Sequence, residues 1–342
     1  MKPVVSVLMT TYNHARYLPT AVQSVLAQTM PDFELVLGDN CSTDATRELG
    51  EAFAARDRRV RYYRNAKNVG AVVGFNLCHE RSHPESEYFA ILSSDDWWEP
   101  TFLEEAVRAG REYPSAAVIH TDAHRTDENG TRLNLYSSLW QHMPAPGGHR
   151  AVGELYEGSY VLTNAAVVNR RHFQRLLGRS YVFESTLPYT GDYDLWLQLL
   201  TRGGDAYYVD SPLASYRRHP GAMTTGKTRV IRLREEVVIF RDRLAGICPP
   251  ALEGVRLEAL RTRLAWLGFA LLEKGEGDEA RAVLAEAQRA GGADSRSRLD
   301  IPVAKSIAAL PIHASTRAAV WRLALAASRG LGRGRVFSEA TT

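Results

Sequence analysis

Over its first ~120 residues the chain alternates short apolar runs with segments of helical period, the mark of βα units on a parallel sheet. No other feature restricts its fold as strongly. Val4 to Met9 is apolar except for Ser6, as a strand covered on both faces requires. Tyr17, Leu18, Ala21, Val22, Val25 and Leu26 then recur at helical spacing. The same alternation predicts strands at Phe33 to Leu37, Val60 to Tyr63, Tyr88 to Leu92 and Ala116 to His120. Helices are predicted at Asp44 to Arg56, Gly70 to His79 and Pro100 to Tyr113, with Ser42 or Thr43 capping the first of these.

The pattern breaks at Asp122. From there to His149, Gly130, Pro144, Pro146, Gly147 and Gly148 punctuate a stretch without helical period, and residues 122–149 are expected to form a mobile loop over one face of the domain. Regular structure is predicted again at Ala165 to Val168 (strand), Tyr193 to Thr201 (helix) and Ala206 to Val209 (strand). Beyond Thr228 the chain is rich in Ala, Leu and Arg, and Arg256 to Gly291 reads as two helices joined at Gly275 to Asp278. The expected division is an α/β domain over 1–227 and a helical region over 228–342.

Composition narrows the function. The 42 basic and 39 acidic side chains nearly cancel, which argues against a general nucleic-acid binder. Cys41, Cys78 and Cys248 are the three cysteines and lie far apart, so neither a disulfide framework nor a zinc site is expected, and a reducing cytoplasm fits. No apolar run approaches the ~20 residues needed to span a bilayer.

Small polar and acidic residues collect at predicted strand and helix ends, where open α/β sheets bind ligands: Thr10-Thr11-Tyr12-Asn13, Gly38-Asp39-Asn40, Ser93-Ser94-Asp95-Asp96 and Gly191-Asp192-Tyr193-Asp194. Acidic clusters converging on one cleft repel one another unless a cation is present. Oxygen ligands suit Mg²⁺ or Mn²⁺ shared with a phosphate.

SVLMTTYNHARYLPTAVQSVLAQTMPDFELVLGDNCSTDAT, followed in order by KNVGAVVGFN, EYFAILSSDDWWEP, TGDYDLWLQLL and SPLASYRRHPG, resembles the family 2 glycosyltransferases over roughly residues 3–222. The resemblance implies a GT-A nucleotide-sugar-binding, Rossmann-like fold with a mainly parallel central sheet, here followed by the helical region. It places Thr11, Tyr12 and Asn13 around the nucleotide base and gives Asp39 the uracil N–H, with Asn40 where a second Asp is common. Lys67, Asn68 and Gly70 fall on a loop near pyrophosphate and ribose. Ser93-Ser94-Asp95-Asp96 stands where the family has its DxD motif: Asp95 is the expected metal ligand, Ser94 and Asp96 are expected at the donor, and Ser93 replaces an acid. Asp192 takes the place of the catalytic base, with Gly191 replacing the acid before it. Arg218 is assigned to the diphosphate and His219 to the metal.

The implied activity is transfer of a sugar from a nucleotide-diphosphate donor, a UDP-sugar first among candidates, to a hydroxyl on a glycan, a lipid-linked or a small-molecule acceptor. The reaction would be metal-assisted and inverting, and the 122–149 loop would face the acceptor. Two alternatives stay open: a nucleotidyltransferase, disfavoured because TTYNHARYL lacks a basic Gly-rich loop, and a non-catalytic sugar-nucleotide-binding or scaffolding protein, kept open by Ser93 and Gly191. Arg317, Arg322, Arg329, Arg333 and Arg335, near Trp321, suggest peripheral contact with the inner face of a membrane through the C-terminal tail.

Overall fold

The computed structural model describes residues 2–139, 147–149, 152–223 and 228–290. The basic tail therefore lies outside the described residues. The chain divides into two compact units, residues 1–221 and 222–342.

The first unit opens with β1 (Val5–Thr11), α1 (Leu18–Leu26), β2 (Phe33–Asp39), α2 (Thr46–Arg56), β3 (Val60–Arg64), α3 (Ala71–Arg81) and β4 (Tyr88–Ile91). β1 pairs in parallel with β2 and β4, and β2 with β3. Every residue of β1 and of β2 is buried, which explains why both read as continuous apolar runs. In α1, Leu18, Ala21, Val22 and Val25 make the buried stripe, each side chain contributing ~1.5–3 kcal/mol if fully buried and large. Capping of α2 differs from expectation. Its N-cap is Ala45, because Ser42 is taken up by Asp39 and Thr43 by Asn13, and Asp44 Oδ1 instead accepts from Thr46 N.

The chain continues through β5 (Trp97–Trp98), α4 (Phe102–Glu112), β6 (Ala116–Thr126), β7 (Arg132–Leu135), β8 (Gly147–His149), α5 (Val152–Glu157), β9 (Ala166–Asn169), α6 (Arg170–Leu177), α7 (Gly191–Thr201) and β10 (Asp205–Arg217). The sheet order is β3-β2-β1-β4-β9-β6-β10-β5, with β7 on β6 and β8 on β10. β9 runs antiparallel to both β4 and β6, so its first residues lie at the carboxyl end of β4 and beside His120 in the middle of β6. That inversion brings the one-turn 3₁₀ helix Thr163–Ala165, just before β9, to the ligand-binding edge.

Two segments depart from the sequence reading. The expected loop from Asp122 begins as the second half of β6, which runs on to Thr126 and pairs antiparallel with β7. Asp122 also anchors the turn after β7: its carboxylate accepts from Ala123 N, Ser137 N and Ser137 Oγ. β10 extends eight residues past Val209, to Arg217, and passes Pro212 by shifting register against β6 on either side of it. A proline cannot donate to a ladder, so an irregularity of this kind is how a strand carries one.

In the second unit α8 (Arg229–Val238) precedes α9 (Glu253–Lys274) and α10 (Gly277–Ala290). Gly275, at φ +83°, ends α9 in the left-handed conformation. α9 and α10 pack closely enough that a Cβ on Gly268 would meet the Leu284 side chain. Among the described residues no helix is long and apolar enough to cross a membrane.

Candidate active site

The ends of β1, β2 and β3 are in register, so Thr11, Asp39 and Arg64 form a row at the carboxyl edge of the sheet. Past that edge the β1–α1 and β2–α2 loops are tied together. Ser42 Oγ accepts from Asn13 N at 2.9 Å, Asn13 Oδ1 from Thr43 N at 2.8 Å, Thr46 Oγ1 from His14 N at 3.1 Å and Asp44 Oδ2 from Ala15 N at 3.0 Å. Asn13 and Cys41 take left-handed backbone angles, φ +53° and +65°. Tyr12 stands 42% exposed beside them, its ring open to stacking. Thr11 is buried, and its hydroxyl has no hydrogen-bond partner among the described residues.

Asp39 is 0% exposed. Its Oδ1 accepts from Ser42 N at 2.9 Å and Ser42 Oγ at 2.6 Å, and its Oδ2 from Tyr62 OH at 3.0 Å, with Arg64 Nε 3.4 Å away. The carboxylate thus orders the turn after β2; burial and then Asp39 push the Tyr62 hydroxyl up. Asn40 works as a clasp. Its Nδ2 donates to Thr10 Oγ1 at 3.2 Å and Gly70 O at 3.1 Å, and its Oδ1 accepts from Asn65 Nδ2 at 2.8 Å. An aspartate in its place could not donate and would face the Gly70 carbonyl. Asn40→Asp is expected to lower stability by ~1–3 kcal/mol, read as a shift in the denaturation midpoint; an unchanged midpoint would show that the clasp carries no stability.

Of the KNVG residues, Lys67 is exposed, Asn68 Oδ1 accepts from Gly70 N at 2.9 Å, and Gly70, at φ +81°, starts α3. Asn76, one turn on, clamps a distant loop: its Oδ1 accepts from Val182 N and Phe183 N, and its Nδ2 donates to Phe183 O. Phe183 in turn covers Gly191, whose added Cβ would lie 3.3 Å from the Phe183 Cβ. A larger side chain at 191 has to move a clamped phenylalanine.

After β4, the acidic loop is built into the scaffold. Asp96 is buried, its Oδ1 accepting from Arg217 N at 2.7 Å and its Oδ2 from the Asn164 amide. Burial first, then the neighbouring Asp95, hold its carboxyl well above the usual carboxylate range. Asp95 is more open, and its Oδ2 lies 2.9 Å from His219 Nε2. Ser94 is buried and shares a 2.8 Å hydrogen bond with His14 Nδ1. The His14 and His219 rings meet edge to face at 6.1 Å, and burial pushes the His14 imidazole down. Asp95, Ser94 and His219 are therefore brought together, with His14 as an unforeseen fourth member.

The Arg218 Nη1 reaches Tyr216 OH at 3.3 Å, and its guanidinium lies over that ring. Arg217, next to it, is tied into the acidic loop. It lies between the Tyr17 and Trp97 rings, and donates from Nε to Asp95 O at 2.7 Å and from Nη1 to Glu128 O at 2.8 Å. Neighbours on a strand face opposite ways, so the part Arg217 takes in this loop depends on the register of β10.

Asp192 is the second residue of α7, half-buried, after the N-cap Thr190. Its Oδ1 accepts from Tyr193 N at 2.8 Å and its Oδ2 from Thr163 Oγ1 at 2.5 Å. Asn164, the next residue, receives Ser93 N at 3.2 Å and Trp98 Nε1 at 2.6 Å besides holding Asp96. Two consecutive residues thus link Asp192 to the acidic loop. Asp194 is buried, 3.9 Å from Arg179 Nη1, and serves the interior of α7.

Known proteins resemble this chain in both sequence and fold. The model for Glycosyl transferase family 2 matches residues 6–176. TuaG of Bacillus subtilis (strain 168), named for teichuronic acid biosynthesis, is 27% identical over 231 residues, covering 68% of this chain and 85% of its own. EpsE of the same organism, named as a glycosyltransferase, is 28% identical over 221 residues, covering 64% and 75%. In structure, residues 1–349 of S. aureus TarS in complex with UDP-GlcNAc superpose with a TM-score of 0.67 at 17% identity, over 96% of this chain and 92% of that one. The mannosyltransferase PcManGT from Pyrobaculum calidifontis, in complex with GDP-Man and Mn²⁺, gives 0.57 at 18% identity, over 94% and 88%.

Proposed function

Because this chain belongs to glycosyltransferase family 2, with that family's GT-A fold, we propose that it transfers a sugar from a UDP-sugar to an acceptor hydroxyl with inversion. The acceptor class proposed is a growing polysaccharide or glycoconjugate of the cell envelope. The observation that carries this reading is the pairing of Asp192 with the Asp95 loop through Thr163 and Asn164.

In the proposed reaction the acceptor oxygen attacks the anomeric carbon as the bond to the diphosphate breaks, and the hydroxyl proton passes to Asp192. Attack and departure on opposite faces of the sugar give inversion in one displacement. Tyr12 offers a face for the base, and Asn13 and Thr11 line the same end of β1. A uracil N–H at Asp39 would take the place of its longest partner, Arg64 Nε. Lys67 and Asn68 lie on the loop assigned to diphosphate and ribose, and Ser94 holds His14 beside the donor's end of the cleft.

The residues present fit a divalent ion. Asp95 Oδ2 and His219 Nε2, hydrogen-bonded to each other at 2.9 Å, are the residues that would hold it. One carboxylate and one imidazole suit Mn²⁺ as well as or better than Mg²⁺. Among the described residues no third His, Cys, Asp or Glu joins them, a sparse set of the kind that donor phosphates and water complete. A bound ion would supply positive charge to the departing diphosphate.

Nucleotide sugars screened by thermal shift, with and without Mn²⁺, test the donor reading. A UDP-sugar is expected to raise the melting temperature by several degrees, and more with the ion than without it. Stabilisation by none of them, or by GDP-sugars alone, would count against it.

A further inference from the structure

We infer that Thr163 is a positioning residue that sets both the direction of the Asp192 carboxylate and the pH range over which it acts as a base; this rests on Asp192 being that base.

Thr163 starts the 3₁₀ turn Thr163–Ala165, and its Oγ1 donates to Asp192 Oδ2 at 2.5 Å, within the range of a hydroxyl bonded to a charged carboxylate. Tyr193 N donates to the other oxygen at 2.8 Å. Each oxygen is thus directed by a donor from the fold. Valine at 163 would therefore release one oxygen from its donor while Tyr193 N still held the other. The hydroxyl is itself well fixed. Threonine is β-branched and stiff at χ1. The turn beneath it is pinned by Asn164 through Ser93 N, the Asp96 carboxylate and Trp98 Nε1, and by Ala165 N donating to Leu162 O at 2.9 Å. A donor aimed at a carboxylate favours its ionised form, so the group stays a competent base to lower pH.

The test uses the full chain and measures kcat and donor KM across pH for Thr163→Val, Thr163→Ser and Asp192→Asn. Valine keeps the shape and removes the hydroxyl. The expected result is a kcat ~10-fold lower at neutral pH, donor KM unchanged, and the acid limb of the kcat profile moved up by about one pH unit. Serine should recover most of both. A hydroxyl that only packs would change the melting temperature without moving the limb. The inference is overturned if Thr163→Val keeps the wild-type rate and limb while Asp192→Asn is inactive, or if serine rescues neither. It also falls if Asp192→Asn transfers at the wild-type rate, and then it is the assignment of the base that has failed. If valine prevents folding, Thr163→Ala supplies the same comparison without the branched bulk.

Discussion

Sugar transfer by Asp192→Asn is expected to fall by ~10²-fold or more while donor binding changes little, because the substitution removes the proposed general base. Asparagine has nearly the same volume and retains an oxygen for Tyr193 N, the contact made by Asp192 Oδ1. On the other side the Thr163 hydroxyl can rotate to accept from the new amide, so the turn keeps its partner. Folding should therefore be hardly altered, and thermal melting with donor present separates binding from chemistry. A variant that transfers at nearly the wild-type rate would reduce Asp192 to a favourable charge at a helix N-terminus, worth only ~0.3–1 kcal/mol.

The second large effect is expected at Asp95. Asp95→Ala should remove Mn²⁺- or Mg²⁺-dependent turnover, a loss of at least ~10²-fold, and should weaken intact donor much more than free nucleoside. The fold around it should persist, since Arg217 Nε bonds the Asp95 backbone carbonyl rather than its side chain. Asp96 supplies the internal contrast. It is buried and bonded to Arg217 N and Asn164, so its replacement should cost stability before it costs metal response. Wild-type turnover that is unchanged in saturating EDTA would remove both the ion and the role of Asp95.

How much of this was legible before the structure depends on whether the controlling contact is local. The β1–α1–β2–α2–β3 half writes itself into the sequence, because strands covered on both faces must be apolar throughout. Asp95, Asp192 and His219 fall at positions that the family resemblance marks, and Asp95 and His219 do meet. Thr163 and Asn164 carry no such signal. Ala165 to Val168 reads as a strand, but nothing in it reveals that β9 runs antiparallel and so delivers the preceding turn to the cleft. Arg217 and His14 were hidden for the same reason: one depends on the register of β10, the other on a loop crossing to Ser94. The departures at Asn40 and Gly191 were visible as departures. The contacts these residues make, Asn40 with the Gly70 carbonyl and Gly191 with Phe183, are tertiary and were not visible.

The hydrogen bonds that join the β1–α1 loop to the β2–α2 loop bear on the energetics of recognition. Fixing one flexible residue takes roughly 1–2 kcal/mol of conformational entropy, and a loose rim would lose that much per residue each time a ligand arrived. Here the loss falls on folding, once, with Asn13 and Cys41 already in their left-handed angles. Contacts made by a nucleotide at this rim can then appear almost undiminished as affinity, and the rim should give the same backbone trace whether empty or filled.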